Sequence, residues 1–229
     1  MTGLRYVYAV CRPLDAPLQT ALTGVAGDPP RLLTHHGLIA VVSHVPERDF
    51  AEEPLRRRSE DPDWLTATAR AHEQVIDALT AVTTPLPLRL ATVFRDDSGV
   101  RVMMEEREEE FRRTLGRLAG RVEWRVKAYA EAESEAESES GAEQFADRLH
   151  LKLAAHADSA RLHPSAKAPG TAFGRNVLNA AYLVPRADSE EFVEIVQRAK
   201  NAESRMRVEL SGPWAAYSFV EAGEGSPRP

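Results

Sequence analysis

The chain has 229 residues, 43% of them hydrophobic and 28% charged, with a net charge of −6. That length suits one large domain or two small ones with a true core, and the acidic balance disfavours nonspecific nucleic-acid binding, which needs a cationic surface for phosphate. The single cysteine, Cys11, leaves no disulfide framework within the chain; no apolar run is long enough for a membrane span, and MTGLRYVYAV lacks the form of a signal peptide, so a cytoplasmic protein without membrane insertion is expected.

Residues 4–11 are β-branched and aromatic and apolar on both faces, which predicts a covered strand with Cys11 as a buried thiol. Residues 12–30 hold four prolines and two glycines and read as a loop with a short helix at most. Leu38–Val45 reads as a second strand. Residues 46–62 are charged and proline-interrupted, and are expected to be exposed and mobile; Arg56, Arg57 and Arg58 sit there among glutamates as a solvated mixed-charge loop. A helix follows over 63–81, with Leu65, Thr68, His72, Val75 and Leu79 on one face. The alternation of Leu86, Leu88, Leu90 and Phe94 predicts a strand that places Arg89 inside an apolar segment. A helix over 100–119 buries Val100, Met104, Phe111, Leu115 and Leu118, pairs Glu108 with Arg112 at i,i+4, and ends on Gly120.

Residues 122–130 carry the cleanest period in the chain. Val122, Trp124, Val126, Ala128 and Ala130 alternate with Glu123, Arg125, Lys127 and Tyr129, which predicts one buried face and one wet face. The stretch 131–141, EAESEAESESG, has no apolar stripe and reads as a solvated acidic connector. Then come a helix over 142–160 burying Phe145, Leu149, Leu153 and Ala157, a short extended segment with a turn at 161–171, and a strand over 176–184. A helix over 189–202 follows, capped by Asp188, then strands over 205–210 and 214–220 and a tail over 222–229. From Val122 onward the order strand, helix, short strand, strand, helix, strand is that of a ferredoxin-like fold. The expected architecture is α+β in two domains: 1–120, and a ferredoxin-like 121–221.

Catalytic motifs are scarce. The chain contains no GxGxxG, no phosphate-binding GxxxxGK[ST] and no GxSxG. His35-His36, His72, His150 and His156 lack metal-ligand spacing, and His72-Glu73 is not followed by the second histidine of a zinc helix. No cofactor and no metal are expected. His72 on an apolar helix face and Arg89 in an apolar strand are either satisfied inside the fold or placed in a shared binding cleft. With Glu73 they are also the acid–base set of an enzymatic alternative. Trp214, Tyr217 and Phe219 are either binding anchors or core; no RNA-binding motif accompanies them.

Several segments together resemble the gas vesicle accessory proteins of the GvpF/GvpL family. They are RYVYAV, LIAVVSHV, WLTATARAHEQVIDAL with the family's Ala-His-Glu-x-Val, PLPLRLATVF, GRVEWRVKAY, LNAAYLV and SGPWAAYSFV. Two departures stand out: Leu90-Ala91 where the family carries Phe-Gly, and Ala215-Ala216 where it carries Pro-Pro. The resemblance implies two α+β domains and a role in gas vesicle assembly. It further implies that the chain binds the hydrophobic shell protein GvpA and other accessory Gvp proteins, in a chaperone-like way or as a minor vesicle component. The alternatives are a small-molecule enzyme and a ligand-binding regulatory module that dimerises through its sheets. The expected binding surfaces are the open sheet face of the second domain and the cleft between domains, with His72, Glu73, Arg89, Trp214, Tyr217 and Phe219 as partner-binding candidates.

Overall fold

The computed structural model describes residues 3–18, 21–130, 136–164, 174–202 and 205–220. The chain divides into two compact units, one of Met1–Ala119 with the chain from Val220 onward, the other of Gly120–Phe219. Each is a mixed α/β unit built on an antiparallel sheet. Of the connector expected over 131–141, residues 131–135 lie outside the described residues, as do the expected turn at Pro169-Gly170 and the tail 222–229, whereas 136–141 already form the first turns of a helix.

In the first unit, β1 (Leu4–Cys11), β2 (Arg31–His35) and β3 (Leu38–Val45) form the sheet, with β3 between the other two. Residues Tyr6 to Cys11 are all fully buried, as apolarity on both faces requires. The strand β2 is not evident from the sequence: it is short, polar and preceded by two prolines. Its hairpin with β3 turns on His36 and Gly37, both at positive φ (48° and 72°), the backbone sign that two-residue hairpins need.

The charged run 46–62 departs from expectation. It forms two short helices, α1 (Glu47–Phe50) and α2 (Glu52–Arg58). Phe50 is buried there, edge-on to Tyr6 with ring centroids 6.0 Å apart, and also touches Trp64. Arg56, Arg57 and Arg58 form the last turn of α2, where cations complement the helix dipole. The long helix α3 (Pro62–Val82) starts where Asp61 accepts the amides of Asp63 and Trp64. Its inner face is Thr68, His72, Val75, Ile76 and Leu79, while Leu65 is exposed.

The expected strand over 86–94 is broken into β4 (Leu86–Pro87) and β5 (Val93–Phe94), both pairing with β1. Between them Thr92 Oγ1 donates to the Arg89 carbonyl (2.7 Å) and Ala91 takes φ 61°, so Arg89 and Leu90 turn outward to solvent. Arg89 is therefore not inside an apolar strand. The helix expected over 100–119 is also two: α4 (Asp97–Glu106) and α5 (Glu108–Leu118). Arg107 at the joint leaves helical geometry, forks onto Glu110 and lies 4.7 Å over the Phe111 ring. The apolar face is continuous across the break, and Val100, Met104, Phe111 and Leu115 close the core together with Val7, Val10, Leu38 and Val42. Gly120 takes φ 70°, the left-handed residue that follows a helix end.

In the second unit, β6 (Arg121–Ala130), α6 (Ala136–Ala154), β7 (Ser159–Leu162), β8 (Arg175–Pro185), α7 (Ser189–Ala202) and β9 (Met206–Trp214) follow in order. The strands lie in the order β7-β8-β6-β9, every neighbouring pair antiparallel. Phe145, Leu149 and Leu153 of α6 and Phe192, Ile195 and Val196 of α7 cover one face, against Val122, Trp124, Val126 and Ala128. The expected strand over 214–220 is instead a tight turn. Ala215 and Ala216 are buried, and a 3-10 turn spans Tyr217–Phe219, where the Tyr217 and Phe219 amides donate to the Ala215 and Ala216 carbonyls.

Candidate functional site

Two buried polar knots organise the molecule, one in each unit, and each joins side chains from several elements. In the first, Tyr6 and Tyr8 project from β1 onto α3. The Tyr6 hydroxyl lies 2.9 Å from His72 Nδ1, and the Ala91 amide donates to the Tyr6 oxygen at 3.2 Å. With that donor in place, the hydroxyl hydrogen points to His72, so the imidazole carries its proton on Nε2. That Nε2 is buried with no hydrogen-bond partner among the described residues. Burial pushes the His72 pKa down to about 4, so the ring is neutral at pH 7. Alongside, the Tyr8 hydroxyl donates to Ser43 Oγ (2.9 Å) and accepts from the Val25 amide (2.7 Å), and Ser43 passes the chain on to the Asp28 carbonyl. Gly24 fits here because a side chain would collide with Tyr8 Oη and Ser43 Oγ. Cys11 at the end of β1 is buried, and burial raises its thiol pKa to about 12, which suits an inert packing role.

The second knot centres on Glu123. Its position on β6 alternates with the core residues and predicts exposure, yet it is 0% exposed. The carboxylate accepts the Ser218 amide (2.7 Å), the Ser218 hydroxyl (2.8 Å) and Arg125 Nε (2.7 Å). His163 Nε2 reaches Ser218 Oγ at 3.2 Å. The grouping of serine, histidine and glutamate is wired unlike a hydrolytic triad: the acid binds the serine directly instead of orienting the histidine. It clamps the 3-10 turn onto the sheet, with Arg161 over the Phe219 ring at 5.8 Å. Part of the sheet face that alternation leaves open is thus closed by the chain's own Tyr217–Phe219 turn. At the entry to that segment Gly212 has φ 129°, and a Cβ there would lie 2.8 Å from the Glu123 carbonyl.

The sequence-derived candidates scatter. His72 is 3% exposed and Phe219 2%, both interior side chains. Glu73 and Arg89 are exposed, so His72, Glu73 and Arg89 do not form a shared acid–base pocket. Trp214 and Tyr217 are 38% and 36% exposed. Among the described residues no group of three or more His, Cys, Asp or Glu side chains is placed to hold a metal, and no helix is long and apolar enough to cross a membrane. Sequence reading missed Glu123, Ser218 and Ser43; on the alternating strand β6 nothing set Glu123 apart from Arg125 and Lys127.

Comparison with known proteins gives a consistent result. The family model described as "Gas vesicle synthesis protein GvpL/GvpF" matches residues 4–141 and 131–221. Gas vesicle protein L of Streptomyces sp. (strain CB03234) is 49% identical, over 96% of this chain and 94% of that protein. Gas vesicle protein F of the same strain is 28% identical, over 94% and 99%. The crystal structure of GvpF from Anabaena sp. PCC7120 superposes with a TM-score of 0.74 at 19% identity, covering 99% of both chains. That of GvpF from Microcystis aeruginosa superposes at 0.71 with 18% identity, over 96% and 100%. At those identities the two structures speak for the fold.

Proposed function

The chain belongs to the gas vesicle GvpL/GvpF family, and from that premise we propose that it serves gas vesicle formation by binding the hydrophobic shell protein GvpA and other accessory Gvp proteins. The binding is noncovalent and chaperone-like, in the cytoplasm or on the growing vesicle, and involves no catalysis. A shell subunit with large apolar surfaces aggregates unless a soluble partner covers it. The observation that carries the reading is the family match along nearly the whole chain, joined to a near-full-length relative at 49% identity. It is supported by the way the two knots use their polar side chains to hold the fold, with His72 buried and Glu73 and Arg89 exposed.

We read Met1–Ala119 and Gly120–Phe219 as two domains, the second ferredoxin-like. Its β-α-β-β-α-β order, with the first and third strands central, supports this. With His72 and Phe219 inside the fold, contact with a partner falls to the exposed Trp214 and Tyr217, and to Glu73 and Arg89. The test is co-expression with a shell protein. The reading expects the two to co-purify and the shell protein to stay in the supernatant longer than alone. A shell protein that neither co-purifies nor gains solubility sinks it.

A further inference from the structure

Among the described residues the last strand of the second sheet, β9, has a neighbour on one side only: β6. Alternation puts Arg207 and Glu209 on one face of β9 and Val208 and Leu210 on the other. A groove of about 420 Å³ is lined by residues of both faces, by Arg125 and Lys127 of β6, and by Lys200 from the last turn of α7. The groove takes in the sheet face shared by β6 and β9 and lies on the side where β9 has no described neighbour.

Its charge runs against the rest of the molecule. The chain as a whole carries −6, yet four cations line the groove against a single carboxylate, Glu209. Arg125 is held by buried Glu123 and Arg207 by Glu209. Lys127 and Lys200 have no ion pair among the described residues. Lys127 sits directly opposite Glu209 in the ladder without closing a salt bridge to it.

We propose that the outer edge of β9 accepts an extended acidic segment of a partner protein, which adds as a further strand and sets its carboxylates against Lys127, Lys200 and Arg207. Strand addition draws affinity from main-chain hydrogen bonds and selectivity from the alternating side chains, and the surplus of positive charge steers an acidic chain to the edge. A polypeptide is the occupant because only a peptide backbone can use the edge amides and carbonyls. A nucleic acid offers phosphate to the cations and leaves the ladder unpaired. The site is independent of shell-protein binding. The competing account is that these cations merely guard the edge against self-association.

The full chain is titrated with a fluorescent Glu-Thr repeat peptide, with its Gln-Thr counterpart, and with a Glu-Thr peptide N-methylated at alternate residues. The proposal expects saturable binding of the first, and about tenfold weaker binding of the other two. Lys127→Gln/Lys200→Gln, exposed changes that spare the core, weakens the Glu-Thr peptide about tenfold, and circular dichroism shows that the fold is kept; Lys127→Glu/Arg207→Glu weakens it further. Four results overturn the proposal: no binding by the wild-type chain, equal binding by the Lys127→Gln/Lys200→Gln protein, equal binding of the N-methylated peptide, or tighter binding of a single-stranded oligonucleotide than of the peptide.

Discussion

In the first unit, the buried polar groups around β1 are neutral: two phenols, a hydroxyl and an imidazole that burial keeps uncharged. In the second unit, the buried group is a carboxylate, bound to one backbone amide, one hydroxyl and one guanidinium. A neutral knot tolerates an imperfect partner at modest cost, because an unpaired neutral group loses about 1–3 kcal/mol. A charged knot depends on all its donors together, since a buried carboxylate without them is several times more costly. The lesson is that the polar hold on the Tyr217–Phe219 turn centres on one carboxylate, whereas β1 and α3 are held by a distributed chain of bonds and rings.

Four measurements bear on that contrast. Glu123→Ala removes the acceptor of three hydrogen bonds and is expected to cost about 3–5 kcal/mol, read as a fall in the urea midpoint. A loss under about 1 kcal/mol would mean that the carboxylate is not the clamp.

The second is a pH series. His72 is pushed below its ordinary value, so the unfolded chain takes up a proton that the folded chain refuses. Its contribution is full above about pH 6.5 and is lost as pH falls toward about 4, amounting to about 3 kcal/mol over that window. His72→Gln keeps an acceptor for Tyr6 and should flatten this limb; an unchanged pH profile would assign acid lability to other groups.

Third, Tyr6→Phe leaves His72 Nδ1 and the Ala91 amide without their shared partner, for an expected loss of about 2 kcal/mol in chemical denaturation. Equality with Glu123→Ala would erase the distinction between the knots. The smallest effect is Ala91→Gly. Ala91 sits at φ 61°, where a Cβ is strained, and glycine there should stabilise the protein by about 0.5–1 kcal/mol, seen as a raised melting temperature.

Six of the seven segments that carry the family resemblance meet in the knots. RYVYAV supplies Tyr6 and Tyr8, AHEQV supplies His72, LIAVVSHV supplies Ser43, and PLPLRLATVF supplies the Ala91 amide. GRVEWRVKAY supplies Glu123, and SGPWAAYSFV supplies Ser218. Recognition from sequence therefore worked through residues whose roles periodicity could not reveal. The stripes on α3 and β6 were legible because burial there follows the repeat of the element itself. Glu123 was not, because what covers it arrives 95 residues later. The break at Arg89–Thr92 was hidden too: it turns on a left-handed alanine, a residue that does not announce a turn. Phe50 lay in a charged run where one aromatic is too little to mark a helix, and Trp214, Tyr217 and Phe219 could not be sorted into surface and interior until the turn they form was seen.

Val220 packs against the hydrophobic cluster of the first unit, beyond the whole of the second. During synthesis, the first unit is threaded out long before this last apolar contact of its cluster. The ribosome delivers all of Gly120–Phe219 in the interval, so a nascent first unit lacks the Val220 contact until then. Completion of the first unit is thereby a report that the second has been made.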